Sequence, residues 1–321
     1  GGLAVNNLLR LIGRRLVALP IMVVGVSFLV FFIMSLSPID PAYSALGETA
    51  TPEALEEYRV QHGLNDPFFV QYGRYLWNML HGDLGTYGVG TSNHVTDLVA
   101  KALPITLQLT FLGLLFAVLL AFPLGVLAAL YRDRWPDQVI RIFSVVGIGT
   151  PSFWLAALLV LGFVGKLPVS GPLPAFSVDP YGWFLRMLLP AIALAVPVVG
   201  QMTRVVRTSM VEELDRDYVR TAVGAGIPKR IVVARNVLRN ALITPVTVLG
   251  LRIGYLMGGA VVIEIIFSVD GMGKAVLLKG IQENWVTLVQ GGALVVAIAF
   301  IVVNIIVDML YLLINPRIRS V

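Results

Sequence analysis

The chain has 321 residues, of which 57% are hydrophobic and only 13% charged, with a formal net charge of +5. Soluble domains carry roughly 25% charged residues, so this composition excludes a water-soluble fold and calls for the bilayer as a second apolar solvent. Cysteine is absent, which excludes disulfides, thiolate catalysis and Cys-ligated metals.

About 20 apolar residues cross the hydrocarbon core. The first such run, about 15–36, follows Arg10, Arg14 and Arg15 and has no small-residue cleavage site behind it. It reads as a retained anchor rather than a cleaved leader. A polar stretch, about 37–102, comes next and is too long for a turn. It reads as two helices. Thr51 caps the first, with Pro52 at the first helical position and Gly63 just past the end; Asp66 caps the second, again ahead of a proline, Pro67. Phe68, Phe69, Tyr72, Tyr75, Leu76 and Met79 recur at helical spacing, which gives the second helix one apolar face. That face either packs on the outer ends of the spans or docks an external partner. The helix ends in a glycine-bounded turn, His81-Gly82-Asp83-Leu84-Gly85.

Five further spans follow, at about 103–131, 139–165, 187–206, 242–267 and 287–314. Pro123, Pro151, Pro197, Gly258 and Gly259 lie inside them and mark kinks or close helix approach. The fold class is therefore an all-α polytopic membrane protein of six transmembrane helices, with a helical insert between the first and second. Most of the 24 Lys and Arg fall in the N-terminal segment, the two even-numbered loops and the C-terminal segment. By the positive-inside rule both termini are cytoplasmic and the insert is outside. The positive charge thus belongs to topology and not to nucleic-acid binding.

The largest inside loop, about 207–241, contains DYVRTAVGAGIPKRIVVARNVLRN from Asp217 to Asn240. Gly226-Ile227-Pro228 breaks it into two helices. Ala222, Gly224, Ala225 and Gly226 keep the end of the first narrow enough to enter a groove on a partner, where an ordinary solvated loop is the alternative.

Signs of chemistry in the chain itself are missing. A phosphate-binding loop needs G-x-x-x-x-G-K-[ST]; at Gly273-Lys274 the earlier glycine position is Ser268 and the next residue is Ala275. There is no H-E-x-x-H zinc site, and His62, His81 and His94 all sit in the outer stretch as surface residues. The chain reads as non-catalytic, without a metal. Charges inside spans cost about 2.5–3.5 kcal/mol at the centre and so point to function or pairing. Arg252 in the fifth span and Asp308 in the sixth lie ~10–14 Å from the same side, by a rise of ~1.5 Å per residue. They are expected to face each other or a wet pathway, the alternative being that Arg252 snorkels and Asp308 packs locally. Gln201 and Asn304 are weaker candidates for the same polar interior, and Glu264 for an outer gate.

Several stretches together resemble a known family. Arg220-Thr221-Ala222-x-x-x-Gly226 is similar to the E-A-A-x-x-x-G signature of binding-protein-dependent ABC importer permeases, with the glutamate replaced. Leu64-Asn65-Asp66-Pro67, Gln71-Tyr72, Trp77 and His81 to Gly85 resemble the outer-loop signature of the first permease subunit of dipeptide, oligopeptide and nickel importers. So do Thr150-Pro151-Ser152-Phe153-Trp154, Arg204-x-x-Arg207-x-Ser209-Met210, Arg239-Asn240-Ala241, Glu264-x-x-Phe267-Ser268-x-x-Gly271-x-Gly273 and the ending Asn315-Pro316-Arg317-Ile318-Arg319. Thr244-Pro245 departs from the usual Leu-Pro. The likeness runs from about 10 to 319.

The resemblance implies a type I ABC importer half-pore in a bacterial or archaeal inner membrane. It divides the chain into an anchor helix (1–36), an extracytoplasmic insert (37–102) and a permease domain (103–316). The implied partners are a second, homologous permease, two ATP-binding subunits that hold ATP and Mg, an extracytoplasmic solute-binding protein and a peptide substrate. The basic loop, about 211–240, becomes a coupling helix, with Asp217, Tyr218, Arg220, Thr221, Ala222, Gly224, Gly226 and Pro228 toward the ATPase. Trp77, His81 and Asp83 become candidates for seating the binding protein. Nickel, glutathione or another small solute, and a membrane scaffold that moves nothing, remain open alternatives.

Overall fold

The computed structural model describes residues 2–91 and 93–314. The ending from Asn315 to Arg319 lies outside them. Along the chain run α1 (Gly2–Ser35), α2 (Pro41–Leu46), α3 (Pro52–Gln61), α4 (Phe68–Leu80) and a two-residue hairpin of β1 (Thr86–Tyr87) and β2 (Asn93–His94). Then come α5 (Val95–Leu130), α6 (Trp135–Gly149), α7 (Ser152–Phe163), α8 (Pro180–Leu214), α9 (Asp217–Gly224), α10 (Lys229–Val232), α11 (Leu238–Ala241), α12 (Ile243–Phe267), α13 (Lys279–Gln282) and α14 (Val286–Ile314). Among the described residues five helices, α1, α5, α8, α12 and α14, are long and apolar enough to cross a membrane.

The third span, 139–165, is the pair α6 and α7, bent by 99° at Pro151, and makes a sixth crossing if the pair is one span. Pro151 lacks the N–H that would continue the ladder, and the residue before a proline is pushed out of the helical region. Thr150 accordingly sits at φ −88°, ψ 114°. Three other helices outrun the apolar stretches that announced them: α1 begins at Gly2 rather than near 15, α5 begins at Val95 rather than near 103, and α8 extends well past 187–206 at both ends.

The chain forms two compact units. The first comprises Gly1–Leu107 and Ser268–Ile306. Its core gathers Leu84, Val95, Val99, Ala102, Met272, Val276, Leu288 and Leu294. The aromatic face of α4 packs on α1: Phe28 meets Tyr72 at 5.2 Å, and Phe31 meets Phe68 at 5.4 Å and Tyr75 at 5.5 Å. Ser27 and Tyr72 share a hydrogen bond of 2.9 Å. Aromatic pairs contribute ~0.5–1.5 kcal/mol each beyond area burial, so the packing reading of this face is the realised one. Burial pushes the Tyr75 hydroxyl up to about 12. Thr51 caps α3 as expected, its side chain accepting from the Ala54 amide. Asp66 does not cap α4: the N-cap is Pro67, and the Asp66 carboxylate turns to Arg74 at 2.6 Å, a charged donor that outcompetes a backbone amide.

The second unit comprises Gln108–Phe267 and Val307–Val321. Its axis is α8, buried along most of its length and packed by α6, α7 and α12. The helices approach closely at glycines. A Cβ on Gly200 would lie 2.6 Å from the Ser144 carbonyl oxygen, and one on Gly147 would lie 3.2 Å from that of Val196, so α6 and α8 cross at this pair.

Candidate functional site

The basic loop folds against the end of α8 as α9, a turn, α10, a π-helical turn (Val233–Val237) and α11. An eight-residue helix is too short to be stable alone in water, so α9 must be held by tertiary contacts. Val219, 5% exposed, is its anchor, buried with Ala129, Val206, Met210, Val232, Val233, Val237 and Ala241. Burying a valine side chain contributes about 1.5–3 kcal/mol. Polar contacts complete the seat. The Tyr218 hydroxyl donates to Glu213 at 2.6 Å, Arg216 pairs with Glu213 at 3.1 Å, and Ser209 donates to the Ala241 carbonyl. The Glu213 carboxylate and burial both push the Tyr218 phenol up, burial most. Arg132 pairs with Asp215 at 3.0 Å, tying the segment before α6 to the base of α9.

The break after α9 is a defined cap. The Gly226 amide donates to the Val223 carbonyl at 3.1 Å and the Ile227 amide to that of Ala222 at 3.1 Å. This is the paired bonding of a Schellman motif, with Gly226 at φ +92° in the left-handed position that favours glycine. Pro228 then caps α10.

The result is a helix fixed on its inner side and open on its outer side. Asp217, Arg220, Thr221, Gly224, Gly226 and Pro228 are exposed, and Tyr218 and Ala222 are half-buried. A groove of about 770 Å³ runs beside α9, lined in part by Arg132, Arg134, Asp215, Arg220 and Lys229. Of the eight residues singled out in the sequence, six lie on α9, and Gly226 and Pro228 lie in the turn between α9 and α10.

The other candidates scatter. Trp77, 64% exposed, leans on His81 with ring centroids 4.4 Å apart, and His81 and Asp83 are exposed beside it. Asp83 accepts from the Gly85 amide at 2.9 Å, shaping the turn. His62 and His94 are exposed, and no group of three potential metal ligands exists among the described residues. Gln201, Arg252, Asn304 and Asp308 are half-buried. No ion pair within 4.0 Å joins Arg252 to Asp308. Glu264 is fully buried near the C-terminal end of α12.

Two features went unread in the sequence. Arg186 is 2% exposed inside α8; its guanidinium donates to the Gly171 carbonyl at 3.2 Å and to the Phe267 carbonyl. Asp137, fully buried, is gripped by Arg207 through bonds of 2.6 and 2.8 Å.

The family described as "Binding-protein-dependent transport system inner membrane component" matches residues 121–320, and its N-terminal companion, "Binding-prot-dependent transport system membrane comp, N-term", matches residues 8–110. A putative peptide transport system permease protein of Brucella abortus is 38% identical over 305 residues, covering 94% of this chain and 96% of the relative. The probable D,D-dipeptide transport system permease protein DdpB of Escherichia coli is 39% identical, covering 95% and 96%. The glutathione transport system permease protein GsiC of Salmonella paratyphi A is 36% identical, covering 95% and 97%. Among solved structures, that of an amino acid ABC transporter with histidines shares the fold at a TM-score of 0.53 and 16% identity, covering 69% of this chain and 94% of the other.

Proposed function

The chain belongs to the binding-protein-dependent transport system inner membrane components, and from that membership we propose that it forms half of the translocation pathway of an ATP-driven importer for di- or oligopeptides. The peptide assignment draws on the relatives named for peptide and D,D-dipeptide transport. A glutathione importer is the second reading, supported by the similarity to GsiC.

The observation that carries the mechanism is α9. A rigid helix anchored by Val219 and ended by the Gly226 cap presents a narrow, exposed row to a partner. In this reading α9 docks in a groove of an ATP-binding subunit. The ATP-binding subunits, two per transporter, hold ATP and Mg, and this chain carries no catalytic step. Closure of the ATPases pushes on α9, whose base is continuous with α8 through Glu213 and Tyr218, and the spans switch between two arrangements. A second, homologous permease supplies the other half of the pathway. A solute-binding protein delivers the peptide on the outside, where Trp77, His81 and Asp83 help seat it. Both termini face the cytoplasm. Gln201, Arg252, Asn304, Asp308 and Glu264 are the polar groups through which the pathway is proposed to run.

The chain has no native cysteine, so a single cysteine at Thr221 is a clean probe. It should cross-link to the ATP-binding subunit in membranes, with a yield that changes when ATP is trapped. A cysteine at 221 that labels freely with a membrane-impermeant maleimide in the assembled complex overturns the docking. Competition of uptake by dipeptides, D,D-dipeptides and glutathione separates the solute readings.

A further inference from the structure

Between α6 and α8, below the Gly147–Gly200 crossing, the two antiparallel helices splay and enclose a pocket of about 370 Å³. The crossing closes one end and the Asp137–Arg207 ion pair stands at the other. Arg141, Arg204 and Arg207 line the cavity, with Ser144 and Thr203 between them and Ile140 and Ile148 on the wall.

The charges in this pocket do not cancel. Asp137 is the neighbouring carboxylate, fully buried and committed to Arg207 by two bonds and to the Asp133 amide by a third of 2.9 Å. Arg141 reaches it only at 3.7 Å. Arg204 is exposed and forms no ion pair among the described residues. One further observation points to a ligand. Thr203 is 2% exposed, lines the pocket, and its Oγ1 has no hydrogen-bond partner. Buried hydroxyls are ordinarily satisfied, because an unmet one costs desolvation without return. A guanidinium with spare donors beside an unmet hydroxyl is the chemistry that recognises phosphate oxygens.

We propose that this pocket binds a phosphate group, and that an anionic phospholipid supplies it. The level along the helix favours a lipid over a soluble phosphate. Trp135, 75% exposed at the start of α6, marks the headgroup zone where tryptophan concentrates. Directly beyond it Ile142, Phe143, Val145 and Val146 are 60–71% exposed, an apolar strip suited to acyl chains. Basic pockets between transmembrane helices at the headgroup level hold anionic lipids by this arrangement. The inference rests on the membrane placement of the chain, and not on which solute it carries.

The test uses the transporter purified with its native subunits, with dioleoylphosphatidylglycerol as probe and dioleoylphosphatidylcholine as the neutral reference, titrated by native mass spectrometry. The tightest phosphatidylglycerol should bind roughly tenfold more weakly in Arg204→Gln. Thr203→Val, which keeps the shape and removes the hydroxyl, should weaken it measurably, and Arg230→Gln, remote from the pocket, should not. Unchanged binding in both pocket variants, with membrane insertion and subunit assembly intact, overturns the proposal. Displacement of the lipid by millimolar inorganic phosphate reassigns the site to a soluble anion and overturns the lipid. Loss of the chain from the membrane fraction would instead refute the membrane placement itself.

Discussion

Replacing Gly226 by alanine isolates the contribution of the cap to coupling. A Cβ at this position meets nothing within 4 Å, so no steric clash with neighbours enters. What remains is the backbone: φ is +92°, and the left-handed region costs an L-residue about 1–2 kcal/mol. That strain acts on the two bonds from Gly226 and Ile227 that end α9. A penalty of this size raises the ratio of broken to formed cap by a factor of about 5–30. Transport per ATP hydrolysed, measured in proteoliposomes with the assembled complex, should fall accordingly while ATP hydrolysis and membrane insertion persist. Gly226→Asn is the internal control, since asparagine tolerates left-handed backbone better than alanine, and it should retain more coupling than the alanine variant. If alanine and asparagine behave alike, or if the ratio of uptake to hydrolysis is unchanged in Gly226→Ala, the cap is not the element that transmits motion.

Ala222→Asp places a charge on the half-buried shoulder of α9 and should weaken recovery of the ATP-binding subunit with this chain, read by co-purification at equal expression. Asp137→Asn leaves Arg207, 15% exposed, without its counter-charge. Breaking a buried pair costs 3–5 kcal/mol, and about 2–3 kcal/mol is expected here because Arg207 keeps some contact with solvent; the double variant with Arg207→Met should recover part of the lost thermal stability. Arg186→Met removes the donor from the Gly171 and Phe267 carbonyls, at about 1–3 kcal/mol for each group left unmet, and should loosen the C-terminal end of α12, seen as faster hydrogen exchange near Phe267. In the segment between α1 and α5 the Arg59 guanidinium holds the Asp40 carboxyl below the usual carboxylate range, with the Ala42 amide helping and burial opposing. A lowered folded pKa stabilises above the unfolded value, about 3.9, and that stability is lost as pH falls through the lowered one. Hydrogen exchange across α2 and α3, corrected for intrinsic rates, should show this acid step, and Asp40→Asn should remove it.

What the sequence made legible follows from which forces are local. The spans were readable because a run of apolar residues is a local quantity, and so was the break after α9, because Gly226 and Pro228 act on their own backbone. The third span shows the limit of that reading. Pro151 announced a break, while its angle of 99° is set by what α7 packs against, chiefly α8 and α12. Long-range polar contacts were invisible for the same reason: Arg207 and Asp137 are 70 positions apart, and nothing near either names the other.

Arg252 and Asp308 are the sharper case. Counting residues along two helices at ~1.5 Å each gives the height of a side chain in the membrane. Meeting also requires that both project toward the same interface, and each residue turns the direction by about 100°. Two charges at equal depth therefore face each other only when helix rotation permits, and rotation is set by close packing. On α12 that packing is visible: a Cβ on Gly250 would fall 2.6 Å from Val307. Gly250 thus turns toward α14, and Arg252, two residues and about 200° further round, is carried to nearly the opposite side from Asp308, the neighbour of Val307.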